Sequence, residues 1–446
     1  MTRRIPSTRS RRGSVIVIVL WCISVAAIVV SSLQLFAYRQ ATLGRDVLHR
    51  TQARWAARSG VEASIAMLAL HTEQPIPDDA FALVRDLEYV WSEQLLDAAY
   101  DVIYHADGRD WKGPLDEHAK MNLNGAQGAQ FGLLEDITPD VVSALRDWID
   151  EDKDAGLLGA EEDYYESLTS SYKPRNGAMR SVAEMELVAG IWGDFVRGED
   201  WNLNNRLDPN EDDGLRTMPE DEPDGVMEPG WSGRLTVHSV QGGATLSGLP
   251  RIDLRRADPE EVAMRCGLEP EQAELVVAFG RRSSNELTQL ISTPLTRINS
   301  DGSASSNEVN GDIEALTDEQ LASVLAETIN YPFYERRPGL INLNTASPEL
   351  IRDLLEAQGI DPVIADEIIY MRDSRAEGLI SIVDLNDIPD MQPALLEQLA
   401  GLFTTISNVY TISARGRSQV SGAEVEIITV VDRSALPIRI LEYREQ

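Results

Sequence analysis

The stretch GLINLNTASPELI, residues 339–351, joins an apolar-Asn-Leu-Asn phrase to a helix start. The phrase recurs: KMNLNGAQ begins at residue 120 and RIDLRRADPEEV at residue 251. Asn122-Leu-Asn124, Asp253-Leu-Arg255 and Asn342-Leu-Asn344 therefore occupy matching places. The second and third run on into ADPEEV and ASPELI, where an Asp or Ser cap precedes Pro at the first helical position. Each copy then restarts, as ITPDVVSALRDWI, LEPEQAELVVAFG and IDPVIADEIIYMR. Each closes on acid-apolar-x-x-apolar: Glu184-Met185 to Val188, Glu286-Leu287 to Leu290, Asp384-Leu385 to Ile388. Three matches in one order imply helix–turn–helix units stacked as a helical lobe.

These units resemble helix-hairpin-helix modules. In nucleic-acid-binding versions a Gly-x-Gly hairpin aims backbone amides at a phosphate. Here the hairpins read Gly267-Leu-Glu269 and Gly359-Ile-Asp361, and the first unit has LEDIT without glycine. A carboxylate in place of the second Gly repels a phosphate at short range. The whole chain carries 40 Lys plus Arg against 73 Asp plus Glu, a net charge of −33. Phosphate binding draws most of its affinity from Lys and Arg, so this balance argues against nucleic acid as a partner. The units read as packing modules.

Working outward, residues 1–13, MTRRIPSTRSRRG, hold five arginines and no acid. Residues 14–38, SVIVIVLWCISVAAIVVSSLQLFAY, have no formal charge. At ~1.5 Å rise per residue this spans a bilayer core and exceeds the apolar region of a cleaved secretory signal. Ser14, Ile18, Trp21 and Tyr38 mark the span. Val61, Ile65 and Leu68 lie on one helix face, so the helix is expected to continue as a stalk over 39–72. The flanking arginines predict a cytoplasmic N-terminus and an exported remainder.

This layout resembles a type IV prepilin-like protein, with a basic leader ending in glycine before an apolar helix. The resemblance puts the processing cut between Gly13 and Ser14. Pilins and pseudopilins commonly carry Glu at the fifth mature position, which here is Ile18. That departure fits one subfamily, general secretion pathway protein K, the large minor pseudopilin of type II secretion. Phrases such as WIDEDKDAGLLGAEEDYY, SVAEMELVAGI and INLNTASPEL follow in that family's order.

The expected fold is α+β: a transmembrane and stalk helix, an antiparallel pseudopilin-type sheet, and an inserted helical lobe. AAYDVIYHA (98–106) and RLTVHSV (234–240) read as strands. NVYTISARGR, AEVEIITVVDRS and IRILEYRE, separated by SQVSG and SALP, read as an antiparallel meander. The expected boundaries are 1–13 leader, 14–38 span, 39–72 stalk and 73–121 first part of the sheet. Repeat 1 then covers 122–230 with an acidic insertion. A strand and repeat 2 cover 231–312, repeat 3 covers 313–406, and the final strands 407–446. RINSDGSASSNEVNGD (297–312) reads as a flexible insertion away from the core.

The sharpest local signal is DWNLNNRLDPNE, residues 200–211. Against a twelve-residue calcium loop, Asp200, Asn202 and Asn204 take positions 1, 3 and 5. Arg206 offers its carbonyl at position 7, Asp208 stands at 9 and Glu211 at the bidentate position 12. Asn205 replaces the usual Gly at position 6, where φ > 0 is needed. Residues 199–224 hold ten acids against two arginines, which suits a cation. A second acidic cluster, Asp150, Asp152, Glu161 and Asp163, is a weaker candidate, and the protein K resemblance implies calcium in the ectodomain.

Catalytic signatures are missing: the five histidines make no metal spacing such as HExxH, and no Gly-rich phosphate loop occurs. The expectation is a non-enzymatic minor pseudopilin at a pilus tip in the inner membrane. Its implied partners are two other minor pseudopilins, a prepilin peptidase and the secretion platform. The alternatives are a DNA-handling pilin-like protein and a signal-anchored calcium-binding surface protein.

Overall fold

The computed structural model describes residues 13–243, 245–332 and 335–446. Of the expected leader, only Gly13 falls among them. Helix α1 runs unbroken over Gly13–Glu73. Its first half is an apolar run long enough to cross a bilayer, with none of it buried in the protein. The second half changes character. Ala53, Ala56, Ala57, Val61, Ser64 and Leu68 form a buried stripe at helical spacing. Small residues at its centre let the helix approach a sheet closely. After α1, helix α2 (Ala82–Tyr89) leads to strands β1 (Ser92–Gln94), β2 (Ala98–Ala106), β3 (Arg109–Lys112) and β4 (Leu115–Asp116).

The chain then leaves the sheet for three repeats. Each is opened and closed by a two-residue parallel pairing. In repeat 1, β5 (Met121–Asn122) precedes α3 (Pro139–Ile149), α4 (Glu162–Ser167) and α5 (Gly193–Arg197), and β6 (Leu235–Thr236) returns beside β5. In repeat 2, β7 (Ile252–Asp253) leads to α6 (Pro259–Cys266), α7 (Pro270–Gly280) and α8 (Asp318–Glu327), and β8 (Thr328–Ile329) pairs with β7. In repeat 3, β9 (Ile341–Asn342) leads to α9 (Pro348–Ala357), α10 (Pro362–Ser374) and α11 (Pro393–Ala400), and β10 (Phe403–Thr404) pairs with β9.

The recurring phrase has a common local cause. Asn122, Asp253 and Asn342 each accept, at Oδ1, the backbone N–H two residues on, at 3.0, 3.1 and 2.9 Å. This side-chain turn ends the strand and aims the chain into the repeat. The acid-apolar closures form 3-10 turns at Val182–Leu187, Leu287–Ile291 and Ile382–Asp387. Repeat 1 differs at its start, where a 3-10 turn, Gly128–Leu133, replaces a first helix. Its GAQFGL sequence, with two glycines, is a weak helix former. The three repeats share one continuous core that includes Leu123, Trp148, Leu254, Phe279, Leu343 and Phe403.

The chain returns to the sheet as β11 (Val409–Ser418), β12 (Glu424–Asp432) and β13 (Arg439–Glu445). The seven-stranded sheet has the order β1-β2-β11-β12-β13, with β3 on β2 and β4 on β11. Its named pairings are antiparallel. α1 crosses one face over β2, β11 and β12. Gly416 of β11 lies against the Ala53 carbonyl, where any Cβ would overlap, and a Cβ on Gly60 would come within 2.7 Å of the Tyr100 ring.

Four expectations need correction. RLTVHSV contributes only Leu235–Thr236 as strand, and that strand closes repeat 1 instead of joining the main sheet. The boundary of repeat 1 therefore lies beyond 230. α8 and β8, expected within repeat 3, close repeat 2 through the β7 pairing. The 297–312 segment is not detached from the core. Ile298 is fully buried, Gly302 sits against the α7 backbone, and Val309 N–H bonds Thr296 O at 2.7 Å.

Candidate cation sites and the hairpin ends

The loop 200–211 follows α5 and folds tightly on itself. Asp200 accepts the N–H groups of Asn204 at 2.9 Å and Asn205 at 3.0 Å. Asn202 accepts from Asn204 N–H at 3.0 Å, and Asn204 from Arg206 N–H at 2.7 Å. These successive side-chain turns curl the chain around the oxygens at positions 1, 3 and 5. Asn205 has φ +56°. Glu211 reaches back, accepting from Trp201 N–H at 3.1 Å and Asp208 N–H at 3.0 Å.

Asp200, Asn204 and Glu211 are at most 1% exposed. Burial, reinforced by the charges of Asp200 and Asp208, pushes the Glu211 carboxyl up to about 8. Burial likewise pushes Asp200 up to about 6, against the pull of backbone N–H groups and Lys120. No ion pair among the described residues reaches either carboxylate. Asp208 is different. Burial opposes its ionisation, yet the Arg415 guanidinium at 2.5 Å holds its carboxyl below the usual range. Asp208 therefore faces the sheet as much as the loop. The donor set, three carboxylates, two amide oxygens and a carbonyl, is hard oxygen throughout and suits calcium.

The second cluster is partly assembled. Carboxylate oxygens of Asp150, Asp152 and Glu161 lie within 4.8 Å of one another. Asp163 stands apart on α4, exposed. Burial raises the Glu161 and Asp150 carboxyls, with their acidic neighbours adding to it. Two buried oxygens there have no hydrogen-bond partner, Glu161 Oε1 and Asn176 Oδ1. Asn176 was not visible as a site residue from spacing. Its side-chain nitrogen donates to Asp152 O at 2.6 Å, and its φ is +46°. The Asn176-Gly177 pair, a turn signal, was the available clue.

The hairpin ends show why their acids are present. Gly267 and Gly359 have φ of +66° and +71° where α6 and α9 end. Glu269 then caps α7 with a reciprocal box involving Gln272, and Asp361 accepts Val363 N–H at 3.0 Å at the start of α10. The carboxylates occupy the amides that a phosphate would otherwise use. In repeat 1, Asp136 takes the left-handed position at φ +57°.

Gly13 begins α1, and Ser14 follows within it. Ile18, Trp21 and Tyr38 are 59–67% exposed on the apolar half.

Comparison with known proteins connects these features. Residues 121–197 match the family described as type II secretion system (T2SS), protein K, and residues 339–404 match the helix-hairpin-helix motif. Three proteins named type II secretion system protein K are similar. That of Pectobacterium carotovorum subsp. carotovorum is 36% identical over 15% of this chain and 20% of its own length. Those of Dickeya chrysanthemi and Klebsiella pneumoniae are 24% and 25% identical, each over 41% of this chain and 63% and 58% of their own lengths. The chain thus spans less than two thirds of each of these relatives. A solved GspK-GspI-GspJ complex from the enterotoxigenic Escherichia coli type 2 secretion system aligns with 90% of this chain and 99% of that one. The identity is 13% and the TM-score 0.44. With a protein K domain matched at 121–197 and two relatives of that name each aligning with 41% of the chain, this protein is similar to type II secretion system protein K.

Proposed function

We propose that the protein is a minor pseudopilin of a type II secretion system, acting without catalysis at the tip of the pseudopilus. One observation carries this reading most. An unbroken helix is apolar and exposed in its first half, and is laid by a small-residue stripe onto an antiparallel sheet in its second. That is a subunit built to leave a membrane and pack beside other helices. The precursor would be cut after Gly13 by a prepilin peptidase, with the N-terminus cytoplasmic and the ectodomain periplasmic, anchored in the inner membrane. Two smaller minor pseudopilins and the secretion platform would be its partners. The three-repeat lobe is too bulky to recur along a close-packed filament, which favours a terminal position.

Calcium is the proposed structural cofactor. Asp200, Asn202, Asn204, the Arg206 carbonyl, Asp208 and Glu211 would hold one ion. Asp150, Asp152, Glu161 and Asn176 would hold a second. The hard-oxygen donor set and the two orphaned oxygens beside Glu161 support this reading.

The test uses the exposed lower stalk. Leu43 and Val47 are 59% and 65% exposed. Val47→Cys, expressed with the other pseudopilins of the same genome, is expected to cross-link on mild oxidation to a smaller pseudopilin. The unsubstituted chain, whose Cys22 lies deeper in the apolar run, is the control. A Val47→Cys chain that forms no such adduct would overturn the assembly reading.

A further inference from the structure

The acidic loop does more than surround a possible ion. Residues 202–208 touch four strands of the main sheet, on the face away from α1. Asp101, Arg415 and Glu426 are direct cross-strand neighbours on β2, β11 and β12. Arg206 lies over this row and is 4% exposed. Its guanidinium reaches Asp101 Oδ1 at 2.7 Å, Glu426 Oε1 at 2.9 Å and the Ser413 carbonyl at 2.9 Å. Asn204 Nδ2 donates to Glu426 Oε2 at 3.0 Å, and Arg415 donates to Asp208 at 2.5 Å. On β13, Arg444 donates to the carbonyls of Asn202 and Leu203 at 3.2 and 2.7 Å. On β2, His105 N–H donates to Asn205 O at 2.7 Å. Every one of these loop residues lies within the turn that the buried oxygens of Asp200 and Glu211 organise.

We infer that the loop is a cation-dependent clamp: an ion held within it stiffens β2, β11, β12 and β13, and so stabilises the seat of α1 on the opposite face. The inference rests on the loop's cation reading under Proposed function. The physical link is direct. Arg206 N–H bonds Asn204 Oδ1 within the loop while its guanidinium reaches the charged row, so one residue joins the loop turn to the sheet. A charged hydrogen-bond network of this kind is held as a unit, because each member's geometry depends on its neighbours. Ordering the loop lowers the cost of ordering the strands that it bridges, without any change in the fold. Arg206 is therefore a positioning residue for the sheet. α1 is seated by the same strands, with Gly416 next to Arg415 and Tyr100 next to Asp101 in sequence. A disturbance of the charged row is thus felt one residue away, at the helix contact.

The test is peptide-resolved hydrogen exchange on the full chain in detergent micelles, with calcium or with chelator, beside calorimetric titration of calcium alone. Calcium is expected to bind and to slow exchange at least fivefold in 98–106, 409–418, 424–432 and 439–445. Glu211→Gln is expected to remove that slowing. Arg206→Met keeps the backbone carbonyl and is expected to retain binding while losing most of the strand protection. If Arg206→Met fails to fold, Arg444→Gln, on the partly exposed end of the same network, is expected to lose protection in 439–445 alone. Calcium that binds and protects only 198–212, leaving the strands unchanged, overturns the clamp while leaving the cation site standing. A chain that shows no calcium effect in the loop overturns both.

Discussion

The two faces of the main sheet are held by different physics. On the α1 face the contact is dry and close. Gly416 meets Ala53, Gly60 meets Tyr100, and Val61 and Leu68 are buried with Ile412 and Ile427. Burying Val61 and Leu68 contributes about 1.5–3 kcal/mol each, and such contacts do not depend on ions. On the opposite face a charged row, Asp101–Arg415–Glu426, is bridged by Arg206 and Asp208 from the acidic loop. Paired buried charges are costly to break because they leave an uncompensated partner. One sheet thus carries apolar contacts that do not depend on ions on one side and a charged network on the other.

The largest expected effect breaks the dry face. Gly416→Val forces a side chain into the Ala53 carbonyl and is expected to cost about 3 kcal/mol or more. Thermal unfolding should show the same loss in calcium and in chelator. A loss confined to chelator would mean that the two faces are not separable in this way.

The next effect sharpens the wet face. Glu211→Ala is expected to lower the melting temperature more in calcium than in chelator, where only its two backbone hydrogen bonds are lost. At a calcium concentration about 100 times the dissociation constant the difference would be about 2.7 kcal/mol. An equal drop in chelator would remove Glu211 from the ligand set.

A smaller effect lies away from both faces. Asp361→Ala removes the cap of α10 and should cost about 1 kcal/mol with no dependence on calcium. It should also leave the protein without salt-sensitive affinity for duplex DNA, measured by fluorescence anisotropy. Gained binding would mean that the hairpin amides, and not the overall charge, decide the matter.

The smallest effect is a control. Leu157 is 99% exposed at the tip of the 150–160 loop. Leu157→Ser should change unfolding by less than about 0.5 kcal/mol, with or without calcium. A larger change in calcium alone would tie that tip to the second acidic cluster.

Much of this was legible in the sequence. The three C-terminal strands and β2 fall where β-branched and aromatic residues meet turn signals, because a pleated half-buried surface selects those side chains. The helix starts after Asp258, Ser347 and Asp361 were legible because capping chemistry is local. The closing strands β6, β8 and β10 were not. Two residues carry no periodicity, and the partners of β6, β8 and β10 lie 114, 76 and 62 residues away in sequence. The 297–312 segment misled for a related reason. Its polar composition describes most of its residues, but Ile298 and Gly302 anchor it, and two residues scarcely alter a composition. In the acidic loop, the ligand-type residues could be read from alternation. The roles of Arg206, Arg415 and Glu426 could not, because 207 residues separate Arg206 from Ser413. Asn176 joins its cluster through a turn that no linear spacing records.

The measurement that bears most directly on the central claim is the intact mass and N-terminal sequence of the protein recovered from membranes, with and without a prepilin peptidase. The account predicts a chain that starts at Ser14 when the peptidase is present and an uncut chain when it is absent. A chain left uncut in both would contradict the pseudopilin assignment and leave an anchored ectodomain of the same fold.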